Sequence, residues 1–458
     1  MNREEMIKEL VKKSDEAYLK RTKKSRAALK AAARVLPGGD SRTSTFYYPY
    51  PIFIDQGKGC RIKDVDGNQY IDFHNCYTAL IHGHAYPPIV RAIRTQAGRF
   101  ATGLGAPTTL ITEWAETICR RVKSVRKIRF CNSGTEAGML AVRTARSFSG
   151  KDKILKIEGG YHGSYDDVVH PSNAAGLARS VQSEQLTIPF NDPGAAERAI
   201  VENKDQLACL IVEGMMGAAG QIRPRDGYLE HLRKVTRENG ILMILDEVMH
   251  FRLNYGGLQR VYNIEPDLTM FGKIIGGGFA VGALGGREEI MEIFDPIKGQ
   301  ALIQDSPGLP ATAKLFHGGT FNANPMVATA GKIMVENLTA GEIARINKLG
   351  ESLADGIRGI FSRLRTKGQV TGIGSLQNLH FTPEPVVDFR TSQTDRHEVM
   401  HLVHLGLLER GIFIPARGLF ALSTAMTQKE IDLTVSAMDD LMTRLKPQIE
   451  QAWPELME

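Results

Sequence analysis

The sequence predicts an α/β protein: a large domain built on a mostly parallel sheet, plus a smaller α+β domain drawn from both ends of the chain. Three observations predict it. From about residue 85, short apolar runs alternate with runs of helical period, the pattern of a sheet with helices on both faces. The 46 Gly and 20 Pro cluster between those runs, as tight strand-to-helix turns require. Ile241-Leu242-Met243-Ile244-Leu245 is apolar without a break, consistent with a strand buried on both faces.

In chain order, residues 1–36 read as helix, closed by Leu36-Pro37-Gly38-Gly39. Strand signals follow at 51–54, 61–64 and 70–73, the last two joined as a hairpin through Asp64-Val65-Asp66-Gly67-Asn68. Helices are expected at 88–100, 109–122, 134–148 and 228–239, and strands at 128–131, 154–157, 207–212 and 241–245. After about 336 the pattern restarts with a helix, a strand-rich stretch at 370–381 and a final helix at 428–445. The expected divisions are 1–84 and 336–458 for the smaller domain and 85–335 for the large one. Glycine- and proline-rich residues 299–312 read as a mobile loop near the site.

Composition excludes several classes. A chain of 458 residues with 42% hydrophobic residues fits an ordinary globular protein with a sizeable core. No apolar run approaches membrane-spanning length, and Asn2-Arg3-Glu4-Glu5 does not open a signal peptide. Cys60, Cys76, Cys119, Cys131 and Cys209 are odd in number, widely spaced and free of any C-x-x-C, so a reducing cytoplasm is expected rather than a disulfide framework or zinc knuckle. The net charge is +6, much of it from Lys12, Lys13, Lys20, Arg21, Lys23, Lys24 and Arg26. Because Glu4, Glu5, Glu9, Asp15 and Glu16 are interleaved, a solvated charged helix is expected there, not a nucleic-acid arm.

Five segments carry candidate chemistry. Asn132-Ser133-Gly134-Thr135-Glu136 leaves a strand and enters a helix, putting two hydroxyls and unpaired N–H groups where a phosphate would bind; the plain alternative is an N-cap. Tyr161 in Gly160-Tyr161-His162-Gly163 follows a strand and could stack on a flat ring, although simple core packing is the favoured reading of that residue alone. Asp246 ends the most apolar strand, where a carboxylate is costly unless paired, with a protonated ring nitrogen or in a salt bridge or cap. Lys273 follows Leu268-Thr269-Met270-Phe271-Gly272 and offers an amine able to hold a carbonyl compound as a Schiff base. A nucleotide-binding P-loop fails at Gly272-Lys273, because Asp267 stands where its first Gly belongs and Ile274 where Ser or Thr belongs. His317-Gly318-Gly319-Thr320-Phe321 offers a further hydroxyl for a phosphate, and Arg42 and Arg417 offer planar forks for carboxylates. No metal site is expected: His82 and His84 lack a third ligand, and His397, His401 and His404 read as solvated or partner-facing.

The order of the segments is more specific than any one of them. Asn132-Ser133-Gly134-Thr135-Glu136-Ala137, Tyr161-His162-Gly163, Val212-Glu213, Leu245-Asp246-Glu247-Val248-Met249, Phe271-Gly272-Lys273 with Gly276-Gly277-Gly278, and Gly319-Thr320-Phe321 closely resemble the class III, fold-type I aminotransferases that use pyridoxal phosphate. The resemblance runs from about Leu36 to the last helix. It implies that Lys273 forms the internal aldimine, Asp246 pairs with the pyridine nitrogen, and Val248 and Tyr161 pack on the two ring faces. Ser133, Gly134 and Thr135 would hold the phosphate with Thr320 of a neighbouring subunit, His162 and Glu213 would complete the cofactor set, and the protein would be a homodimer with a shared active site.

Two branches of the class compete. Pro37-Gly38-Gly39-Asp40-Ser41-Arg42, Thr371-Gly372-Ile373-Gly374 and Pro415-Ala416-Arg417-Gly418 resemble the β-amino acid aminotransferases, including β-phenylalanine aminotransferase. On that reading Arg42 takes the carboxylate of a β-amino acid, aromatic or aliphatic, and Arg417 that of a 2-oxo acid such as 2-oxoglutarate or pyruvate. The overall pattern also resembles glutamate-1-semialdehyde 2,1-aminomutase, from which Gly214 and Ala218 depart. Gly214 is not typical of the β-amino acid branch either. A catalytically silent cofactor-binding regulator has only the basic N-terminal segment in its favour.

Overall fold

The structure, a computed structural model, describes residues 2–100, 103–169, 175–296 and 315–458; the expected loop at 299–312 lies outside the described residues. The chain divides into two compact units, one of Met1–Tyr86, Ala344–Val386 and Arg390–Glu458, the other of Pro87–Ile343 and Val387–Phe389.

The second unit is built on a seven-stranded sheet. Its spatial order is Lys127–Cys131, Gly282–Gly286, Leu268–Gly272, Leu242–Asp246, Leu207–Glu213, Lys153–Ile157 and Gln185–Ile188. Four of these were expected. Their apolar side chains are buried on both faces; Leu140, Ala141 and Ala145 of the Gly134–Ser149 helix share one core with Ile211, Ile244 and Met270. The parallel strands end along one edge, at Ile157, Glu213, Asp246 and Gly272, where open α/β sheets bind ligands.

Three strands, Leu268–Gly272 among them, were not expected. Gln185–Ile188 is a short, polar edge strand. Gly282–Gly286 runs antiparallel to both its neighbours, and three glycines give it little strand propensity. Those glycines answer to packing instead. A Cβ on Gly282 would stand 1.9 Å from the Ser133 carbonyl oxygen, so only glycine lets this strand lie against the turn that starts the Gly134–Ser149 helix.

The first unit holds a four-stranded sheet (Ile54–Lys58, Arg61–Asp64, Gln69–Asp72, Ile412–Phe413) and a three-stranded one (Gly368–Ile373, Leu376–Phe381, Leu419–Ala421). Phe73, Leu353, Phe361, Phe381, Phe420 and Trp453 centre its core. The strand expected at 51–54 begins only at Ile54, since Pro51 lacks the N–H a ladder needs. The single N-terminal helix expected to residue 36 is two, Arg3–Arg21 and Lys23–Ala32. Buried Thr22 makes the break, its hydroxyl donating to the Tyr18 carbonyl at 2.7 Å. The hairpin residue Asp66 then caps the second helix, accepting the Lys24 and Ser25 N–H groups at 2.6 and 2.9 Å. The basic side chains of these helices face solvent, as in the i,i+4 pairs Lys8–Glu4 and Lys13–Glu9. No described helix is long and apolar enough to cross a membrane.

Candidate active site

The sheet edge of the second unit collects most of the expected residues. Asp246 ends its buried strand at 3% exposure. One carboxylate oxygen accepts the Val248 N–H at 2.9 Å, and the other lies 2.9 Å from His162 Nδ1. The carboxylate is therefore oriented from two sides. Buried His162 has no hydrogen-bond partner at Nε2 among the described residues.

On the adjacent strand, Lys273 follows Gly272 and opens a short 3-10 turn. Its φ is 45°, a left-handed conformation that lysine rarely takes. Such strain is found where the surrounding fold dictates a side chain's direction. His250, fully buried in the loop after Asp246, is pushed down to about 4 by burial, with Asp246 opposing and Lys273 adding to the shift. It is thus a neutral neighbour of the lysine.

Val248 sits between the two halves of the site. Its Cγ1 lies 3.4 Å from where a Cβ of Gly134 would be, and 3.2 Å from that of Gly272. Both glycines leave the space that this apolar side chain fills. Ser133 is the N-cap expected as the plain alternative, its Oγ accepting the Glu136 N–H at 3.0 Å. A cap and a phosphate contact are compatible, because the hydroxyl hydrogen and the first-turn N–H groups still point out of the helix. Thr135 Oγ1 accepts the Ser164 N–H at 3.3 Å and ties the helix start to the Tyr161 turn. Gly163, at φ 120°, lets the two backbones meet: a Cβ there would lie 2.7 Å from Thr135 Cα.

Tyr161 corrects an expectation. Core packing was the favoured reading of this residue alone, yet it is 54% exposed, a flat ring standing at a strand end. Its backbone N–H donates to Glu213 at 3.2 Å. Burial pushes the Glu213 carboxyl up to about 7, against the pull of His162.

Thr320 is exposed, as is Phe321. Their turn is bolted to the strand and turn that lead into the Gly134–Ser149 helix of the same chain. Asn132 Nδ2 donates to Asn322 Oδ1 at 2.7 Å, and Arg129 Nε donates to His317 Nδ1 at 3.1 Å.

Arg42 and Arg417 lie in the first unit. The Arg417 guanidinium stands 5.4 Å from the centre of the Tyr77 ring, and the Tyr77 hydroxyl donates to the Ser44 carbonyl beside Arg42. His74 packs on Tyr77 with ring centres 4.0 Å apart. Burial pushes its imidazole down to about 4; Asp72 opposes, and the charges of Arg417 and Arg42 add to the shift. The two arginines therefore flank one histidine–tyrosine pair. Sequence reasoning missed both residues, since Tyr77 is presented by four successive left-handed residues, Asn75 to Thr78, none of them glycine.

The histidine decoys resolve individually. His82 Nδ1 meets Thr424 Oγ1 at 2.8 Å and His84 Nε2 meets Asp72 at 2.6 Å. His397 is exposed, but the expectation of solvated or partner-facing side chains fails for the other two of its group. His401 pairs with Asp15 at 2.8 Å, and His404 is fully buried against Tyr47. No group of three metal-binding side chains occurs among the described residues.

A family model described as aminotransferase class-III matches residues 44–440. Glutamate-1-semialdehyde 2,1-aminomutase of Methanosphaera stadtmanae is 39% identical over 434 residues, covering 92% of this chain and 99% of that one. Further curated relatives, 36–40% identical, carry the same name. Among solved structures, an omega-transaminase from Sphaerobacter thermophilus is 38% identical at a TM-score of 0.86, covering 92% of this chain and 97% of the other. A β-phenylalanine aminotransferase from Variovorax paradoxus is 32% identical at a TM-score of 0.89, covering 96% and 98%.

Proposed function

Because the chain belongs to the class-III aminotransferases, enzymes that work with pyridoxal 5′-phosphate, we propose that it moves the amino group of a small amino acid from the sheet edge just described. The cofactor, when bound, supplies the electron sink for charge left at the substrate carbon. Lys273 would be the amine that holds its aldehyde and the base that takes the proton from the carbon bearing nitrogen. Asp246, oriented by His162 and the Val248 N–H, would keep the ring nitrogen protonated. Tyr161 and Val248 would take the ring faces. Ser133, Gly134 and Thr135 would receive the phosphate, with Thr320 of a second copy. Exposed Phe316 and Phe321 beside Thr320 support a homodimer. The observation that carries the reading is the placement of buried Asp246 and of Lys273 at the same end of two adjacent parallel strands. Membership of an enzyme family weighs against a silent regulator.

Two finer readings follow. The names of the curated relatives support intramolecular transfer of the glutamate-1-semialdehyde 2,1-aminomutase kind ahead of the β-amino acid reading that the sequence placed first. The second reading, transfer from a β-amino acid to a 2-oxo acid, is supported by the omega-transaminase and β-phenylalanine aminotransferase likenesses.

Supplying the amino substrate without any 2-oxo acid separates them. An aminomutase converts glutamate-1-semialdehyde through many turnovers, which is the expected result. Arrest after one equivalent per site, with restart on adding 2-oxoglutarate or pyruvate, would reverse the order of the two readings. Under the second reading, Arg42→Ala raises KM for a β-amino donor roughly 10- to 100-fold, the cost of one charge-assisted hydrogen-bonding partner. Arg417→Ala does the same for the 2-oxo acid. Unchanged KM values in steady-state assays remove the arginines from these roles.

A further inference from the structure

Glu213 ends the Leu207–Glu213 strand at 5% exposure, and its Cα partner across the sheet is Asp246. Both of its oxygens are occupied by backbone donors. Oε2 accepts the Tyr161 N–H at 3.2 Å and Oε1 accepts the Gly217 N–H at 3.0 Å. The side chain thus joins two turns at the sheet edge. A Cβ on Gly217 would stand 2.9 Å from Oε1, so the second turn closes tightly over the carboxylate.

Tyr161 needs such a tie. Its ring is 54% exposed, and the hydroxyl lies 3.2 Å from Ser164 Oγ at the rim. A ring with so little core packing takes its height and tilt from its backbone. We propose that Glu213 is a positioning residue that sets the Tyr161 ring for stacking by holding that residue's N–H, without itself touching the cofactor. This rests on the reading that Tyr161 stacks on the cofactor ring.

A carboxylate can accept on both oxygens at once. The equally large amide of glutamine accepts on one and must turn its NH2 towards the other donor, so Glu213→Gln breaks one of the two ties while preserving shape. The test is a binding cycle: dissociation constants for pyridoxal 5′-phosphate in the full-length protein, Glu213→Gln, Tyr161→Ala and the double variant, with the melting temperature of each apoprotein alongside. Glu213→Gln is expected to weaken binding about ten-fold when Tyr161 is present. It is expected to cost almost nothing further in the Tyr161→Ala background, because the ring it positions is gone. No loss of affinity, or an equal loss in both backgrounds, overturns the proposal and leaves the stacking reading intact. If Tyr161→Ala alone binds as tightly as the parent, the stacking reading falls and the proposal with it. Should Glu213→Gln not fold, Gly217→Ala, which crowds Oε1, goes through the same cycle with the same criteria.

Discussion

Lys273→Ala is expected to abolish the visible absorbance of the protein reconstituted with pyridoxal 5′-phosphate and to lower turnover roughly 10³- to 10⁴-fold. On the proposed role two functions disappear together: the amine that captures the aldehyde and the base that moves the proton. Removing a group that acts in both binding and proton transfer leaves only what the rest of the site contributes by placement. The fold should survive, because the lysine opens a turn at the sheet edge and is not part of the packed core. Absorption spectra after dialysis against cofactor-free buffer decide the matter. A variant that keeps the parent's band takes Lys273 out of the role.

Asp246→Asn is the second large effect, with turnover expected to fall about 10²- to 10³-fold, the range for losing one preorganised electrostatic partner in a water-poor site. The change is close to isosteric. An asparagine oxygen can still accept the Val248 N–H, so the strand end keeps its shape. What is lost is the negative charge proposed to favour a protonated ring nitrogen, and His162 Nδ1 now faces an amide. The loss should fall on kcat with cofactor affinity changed much less, and steady-state kinetics at saturating cofactor measure it. Parent-like kcat would place the electrostatic partner elsewhere.

Much of the architecture was legible because its physics is local. Apolar runs such as Leu207–Glu213 and Leu242–Asp246 bury both faces and need no knowledge of their neighbours to be recognised. Gly282–Gly286 was not legible, since its glycines are dictated by the approach of Ser133 from a distant part of the chain. The break at Thr22 likewise depends on Asp66 arriving from a hairpin. In the site, the order of segments pointed to Lys273, Asp246 and the Ser133 turn. Tyr161 was misjudged because an aromatic after a strand is ordinarily core, and only the placement of its turn leaves it uncovered. His74 and Tyr77 gave no signal, because a left-handed run without glycine has no composition to betray it.

The left-handed backbone of Lys273 has a thermodynamic consequence of its own. A side chain held at φ 45° costs about 1 kcal/mol against the ordinary helical or extended choices. Folding therefore carries a standing penalty at the residue proposed to supply the reacting amine. Under the proposed role, the same dihedral that subtracts from the stability of the apoprotein fixes where the amine begins its approach, so durability and reactivity are set against each other at a single bond.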